Sequence, residues 1–121
     1  MALSDAQIRA VIEQQLTPQE RRNGVAYVAG TPAKAQSTLY FPQATIPVPW
    51  DATVAFVDRE PLANWGHSAR YILVNRETGA VISVETRFPP FRSDDPLHWS
   101  VVYRAPSVPD AAIAVPKSKK E

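Results

Sequence analysis

The chain has 121 residues, with thirteen basic and twelve acidic side chains and a formal charge of +1. That length suits one domain, and that balance argues against a surface built to neutralise many phosphates. Cysteine is absent, so disulfide frameworks, thiolate metal sites and cysteine nucleophiles are excluded.

The elements follow in chain order. Ser4 and Gln7 have capping-box spacing, and Ile8, Val11, Ile12 and Leu16 then recur on one helical face, predicting a helix over 4–16. Thr17-Pro18-Gln19-Glu20 repeats the logic, with Thr at N-cap, Pro at N1 and Glu at N3, so a short helical turn should follow and end at Asn23-Gly24. Gly24 to Ala29 reads as a strand and Gln36 to Phe41 as a second. Prolines 42, 47 and 49 confine the stretch up to Trp50 to an edge or a loop. Thr53–Asp58 is apolar on both faces, as a central strand is. Ala69–Arg76 and Ala80–Phe88 flank Glu77-Thr78-Gly79, where Gly79 supplies the positive φ of a hairpin loop. In the second of these strands Ala80, Ile82, Val84 and Phe88 alternate with Ser83, Glu85 and Arg87, so the first set should be buried. His98–Arg104 is a last strand, with Trp99, Val101 and Tyr103 facing together.

Twelve prolines against four glycines is the unusual entry in the composition, and ten of the twelve follow Phe41. Average usage of proline is about 5%. After Ala105 the prolines at 106, 109 and 116 rule out a helix or a central strand. The run Ala111-Ala112-Ile113-Ala114-Val115 is nevertheless too apolar for an idle linker. The sequence therefore predicts an α+β domain over 1–104, with an N-terminal helix packed on a mostly antiparallel sheet of four to six strands. An extended proline-rich arm over 105–121 follows, docking on its own domain or on a neighbour.

No stretch approaches the roughly 18 apolar residues that span a bilayer. Met1 to Ala10 lacks a basic start followed by an apolar run, so a cytoplasmic protein without a signal peptide is expected. The Lys117–Lys120 run is too short to recruit nucleic acid. Neither a membrane nor a nucleic acid is an expected partner.

The richest segment for function is the loop from Asp58 to Tyr71, which gathers Trp65, His67, Arg59, Arg70 and two carboxylates. Loops carry function more often than the elements they join, and Trp and Arg dominate binding hot spots. His67 and His98 with Asp94 and Asp95 offer donors for a metal, but without local ligand spacing such as HxxxH no metal or other cofactor is expected. Ser68 beside His67 is a poor nucleophile–base pair, because neighbours in an extended chain point to opposite faces. Asp58 and Glu60 fall on one side and read as a surface salt-bridge group with Arg59 and Arg70. Four scattered glycines build no phosphate-cradling loop.

The run Tyr71-Ile72-Leu73-Val74-Asn75-Arg76-Glu77-Thr78-Gly79-Ala80-Val81-Ile82-Ser83-Val84-Glu85 resembles the closing hairpin of PepSY-type domains. That resemblance implies a helix against a small antiparallel sheet and an inhibitory, chaperone-like or accessory role. It covers about 15 residues, and the Trp-Gly-His loop has no counterpart in it.

The reading is a small non-catalytic protein-binding accessory module: an adaptor, inhibitor, chaperone or assembly subunit. It engages another protein or its own copies through loop 59–68 and the arm, with Arg59, Trp65, His67, Arg70, Phe91 and Ile113 as the contact residues. The alternative is a small-ligand-binding or enzymatic domain with a pocket between helix and sheet.

Overall fold

Ser4 caps the first helix as its spacing predicts. Its Oγ accepts the Gln7 N–H at 3.1 Å, and Gln7 Oε1 accepts the Ser4 N–H at 2.8 Å. The resulting helix α1 spans Asp5–Gln15 in the computed structural model, which describes residues 2–63, 66–91 and 96–113. Ile8, Ile12 and Leu16 bury their stripe against Ala26, Val28, Ala55, Val57, Ile72 and Val74 of the sheet. Each such side chain contributes about 1.5–3 kcal/mol by leaving water.

Thr17 and Glu20 close a second capping box around Pro18, and helix α2 spans Pro18–Asn23. It stops at Gly24, where a side chain has no room. A Cβ there would sit 2.8 Å from the Asp58 carbonyl oxygen and 2.9 Å from that of Glu20. Glycine thus lets α2 turn directly into the sheet.

The strands are β1 Val25–Ala29, β2 Thr38–Phe41, β3 Ala44–Pro47, β4 Ala52–Asp58, β5 Ala69–Asn75, β6 Val81–Thr86 and β7 Trp99–Arg104. Five of them form one antiparallel sheet in the order β6-β5-β4-β1-β7. The fold is α+β, with the helices on one face of this sheet. β4 and β1 are buried along their whole length, as central strands covered on both faces are. On the opposite face β2 and β3 pair only with each other. Their hairpin covers a core of Tyr27, Val54, Phe56, Tyr71 and Leu73. The proline-punctuated stretch before Trp50 is therefore a real strand, with Pro47 at its end, where a missing N–H costs least.

Two expectations about side-chain direction need correction. Ile82 and Val84 are half-buried and Thr86 buried, with Ser83, Glu85 and Arg87 exposed, but Ala80 is exposed. Ala80 belongs to the hairpin loop: Asn75 N–H donates to its carbonyl, Gly79 N–H donates to Asn75, and Gly79 has φ +81°. In β7, Trp99 and Val101 share a face, but a bulge intervenes. Tyr27 pairs with Val101 and Ala26 with Tyr103, so Tyr103 turns toward the helix face, and its hydroxyl donates to the Arg21 carbonyl.

The arm is not extended throughout. Ala105 and Val108 are buried, a single 3-10 turn spans Asp110–Ala112, and Ala112 and Ile113 pack against the core. A 3-10 turn needs only i to i+3 bonds, so it fits behind Pro109 where a longer helix does not. Residues 114–121 lie outside the described residues. No helix among the described residues is long and apolar enough to cross a membrane.

Candidate functional site

The Asp58–Tyr71 loop is anchored at both ends by strands, β4 before it and β5 after it. Pairing of Asp58 with Ala69 and of Val57 with Arg70 brings the charged residues of the two strand ends side by side. α2 then delivers Glu20 between them. Glu20, 1% exposed, accepts Arg59 Nε at 2.8 Å and Arg70 Nε at 3.0 Å on one carboxylate oxygen. Its other oxygen accepts Arg70 Nη2 and the Thr17 N–H, each at 2.9 Å. Arg59 reaches onward to Glu85 in a two-pronged contact of 2.6 and 3.0 Å and donates to Ser68 Oγ at 2.6 Å. Arg70 donates to Ser83 Oγ at 3.1 Å and to the Gln15 carbonyl at 2.7 Å. Two cations and two carboxylates thus neutralise one another, and the network joins both helices to β4, β5 and β6.

The electrostatics follow from this geometry. Burial pushes the Glu20 carboxyl up, but hydrogen bonds from Arg70, Thr17 and Arg59 outweigh it and hold it below its ordinary 4.5. The Arg59 hydrogen bond likewise holds Glu85 below 4.5, against a smaller opposing effect of desolvation. Arg59 is pushed up, chiefly by the Glu85 hydrogen bond and against its own desolvation.

His67 and Asp58 form a second buried pair, with Nε2 2.8 Å from Oδ1. The same Oδ1 accepts the Glu60 N–H at 3.0 Å. Glu60-Pro61-Leu62-Ala63 is then a closed turn, with the Ala63 N–H donating to the Glu60 carbonyl at 2.9 Å. Pro61 occupies the position where its fixed φ favours such a turn. Leu62 projects from the turn at 75% exposure. Gln19, Asn23, Ser107 and Val108 line a shallow depression beside it.

The expected contact residues therefore separate. His67 and Arg70 are buried, and Arg59 is half-buried inside the ion-pair network. Phe91 is half-buried too: its ring meets Tyr27 at 4.7 Å, Phe56 at 5.6 Å and Trp99 at 5.7 Å. Ile113 packs on the same core. These side chains hold the fold together and present little surface. Trp65 lies outside the described residues. The expected grouping of Asp58 and Glu60 with Arg59 and Arg70 does not form, since both arginines turn to Glu20. Glu20 is the residue that sequence reasoning left as a cap alone, and Glu85 the one it left as solvated.

Of the metal donors considered, His67 is engaged with Asp58, and His98 sits exposed with φ +56° at the entry to β7. Asp94 and Asp95 lie outside the described residues, among which no group of three metal-ligating side chains exists. Tyr71 Oη and Thr86 Oγ1 are buried on the hairpin face without a hydrogen-bond partner among the described residues. Desolvation pushes the Tyr71 hydroxyl above its ordinary value. Between the start of α1 and the sheet there is a cavity of about 90 Å³ lined by Ile8, Arg9, Thr53 and Arg76. Small-molecule sites run to roughly 300–1,000 Å³.

No family model matches the chain, and no curated protein or solved structure is significantly similar to it.

Proposed function

We propose that this protein is a non-catalytic accessory module that binds another protein through the turn at residues 60–63. The observation that carries this reading is Leu62, 75% exposed at the tip of a turn whose base is locked by Asp58, His67 and the Arg59 ion pairs. An apolar side chain carried on a backbone already fixed by hydrogen bonds spares the backbone's share of the conformational freedom lost on binding. The depression formed by α2 and Val108 beside it gives a partner a shaped footing. Asp58 and Arg59 at the base of the turn are already paired, with His67 and with Glu20 and Glu85, which supports binding over catalysis. The hairpin β5–β6, which resembles that of PepSY-type domains, is consistent with the accessory role that resemblance implies.

The test is capture from an extract of the native host with three baits: the wild-type chain, Leu62→Asp and Tyr40→Asp. Tyr40 is 79% exposed on the remote hairpin and controls for general stickiness. A partner retained by wild type and Tyr40→Asp but lost with Leu62→Asp supports the reading. Identical sets from all three baits overturn it.

A further inference from the structure

β6 is an outer strand of the sheet, and its free side is regular. The Asn75–Ala80 hydrogen bond fixes the alternation along the β5–β6 pair. Ile82, Val84 and Thr86 point their backbone groups to β5, and Val81, Ser83 and Glu85 point theirs away from the sheet. Outer strands are normally blunted by proline, charged side chains or a bulge. Val81–Thr86 has no proline and no bulge, and its one charge, Glu85, is tied to Arg59, whereas the opposite edge, β7, carries the bulge at Val101–Tyr103. Beside β6 on the hairpin face runs an apolar groove formed by Ile46, Pro47, Val48, Pro49, Ile82 and Val84.

We infer that a second copy of this chain pairs with β6 antiparallel about a two-fold axis through Ser83, joining two five-stranded sheets into one. The pattern Val81-Ile82-Ser83-Val84-Glu85 is self-complementary about that axis. Ser83 meets Ser83 of the second copy, and Ile82 meets Val84 and the reverse, so the two aliphatic grooves become continuous. Val81 lies opposite Glu85, which keeps the two Glu85 carboxylates off one another, and each is already neutralised by its own Arg59. The same register places Arg87 beside the turn containing Glu77 of the second copy, bringing opposite charges together. All three outward-facing residues are used, and both partners bury the same patch, as an isologous contact requires. This pairing is independent of the Leu62 turn.

The absence of cysteine makes the test unambiguous. Across an antiparallel hydrogen-bonded pair the Cα atoms are about 5.5 Å apart, inside the range a disulfide bridges. Ser83→Cys should therefore oxidise to a covalent dimer much faster than Ala6→Cys, on the exposed side of α1. Wild type should show a concentration-dependent doubling of mass by light scattering. Val81→Pro, which removes an N–H that faces the second copy and none that faces β5, should remain monomeric with an unchanged circular dichroism spectrum. Three results would each overturn the inference. One is a wild-type monomer at all concentrations. Another is Ser83→Cys crosslinking no faster than the control. The third is a wild-type monomer whose β6 edge instead captures an extended segment of a different protein.

Discussion

On the helix face of the sheet the buried charges are matched: Glu20 divides its two oxygens among Arg59, Arg70 and the Thr17 N–H. On the hairpin face the core is aromatic, with Phe41 stacked on Tyr71 at 4.5 Å and Phe91 edge-on to Phe56 and Trp99. There the Tyr71 and Thr86 hydroxyls are buried without partners among the described residues. One face holds its elements chiefly by direction-specific ionic bonds, and the other, apart from the Asp58–His67 pair at the end of β4, by apolar area and ring packing, which tolerate an imperfect polar fit. The helix face should accordingly fail sharply and with pH dependence, and the hairpin face by volume.

The largest expected effect is at Glu20. Glu20→Ala leaves the buried Arg70 guanidinium without a carboxylate, while Arg59 keeps Glu85, and breaking a buried pair in this way costs about 3–5 kcal/mol. Urea unfolding should show it, and Thr17→Ala, which removes only a cap, should cost about 1 kcal/mol. If the two variants are equal, the network adds nothing beyond capping. Phe56→Ala tests the hairpin face on the same scale, with about 3–5 kcal/mol lost through removed area and a cavity, and with no change in the pH profile of stability.

That profile is the next contrast. The folded-state values of Glu20 and Glu85 lie below 4.5. Their contribution is therefore fully present above that pH and is lost as the pH falls through the folded-state values. Melting temperature measured from pH 6 downward should drop below pH 4.5, and less steeply in Glu85→Gln than in wild type. Glu85 is mostly exposed, so solvent screening keeps its share small. The smallest effect belongs to Tyr71→Phe, which deletes a buried hydroxyl that has no partner. Its stability should stay within about 1 kcal/mol of wild type or rise. A clear loss would mean that the hairpin face depends on that hydroxyl after all.

Most of the fold was legible because its signals are local. Capping boxes at Ser4 and Thr17, the stripe Ile8-Ile12-Leu16 and the Gly79 turn are each written within a few residues. The β7 bulge was not legible, since strict alternation from Trp99 says nothing of an extra residue opposite Ala26 and Tyr27. The 3-10 turn after Pro109 was missed because prolines forbid long helices, not single turns. Of the candidate site, the sequence singled out the Asp58–Tyr71 loop but read its charges as a surface salt-bridge group. Glu20 lies 39 residues before Arg59 and 50 before Arg70, and only the sheet register brings them together. A glutamate that already explained itself as a cap gave no reason to seek a second role.

The position of β1 in the sheet has a consequence for synthesis. Val25–Ala29 is buried along its whole length, yet its two neighbours are Ala52–Asp58 and Trp99–Arg104. As the chain leaves the ribosome, this short apolar strand precedes both partners and stays unpaired until β4 arrives. Its second side is open until β7 has followed. The meander β4-β5-β6, by contrast, can zip from neighbouring segments as they appear. Folding should therefore start in that meander and finish with β7 closing on β1, a late, long-range step that pays its loop-closure entropy last.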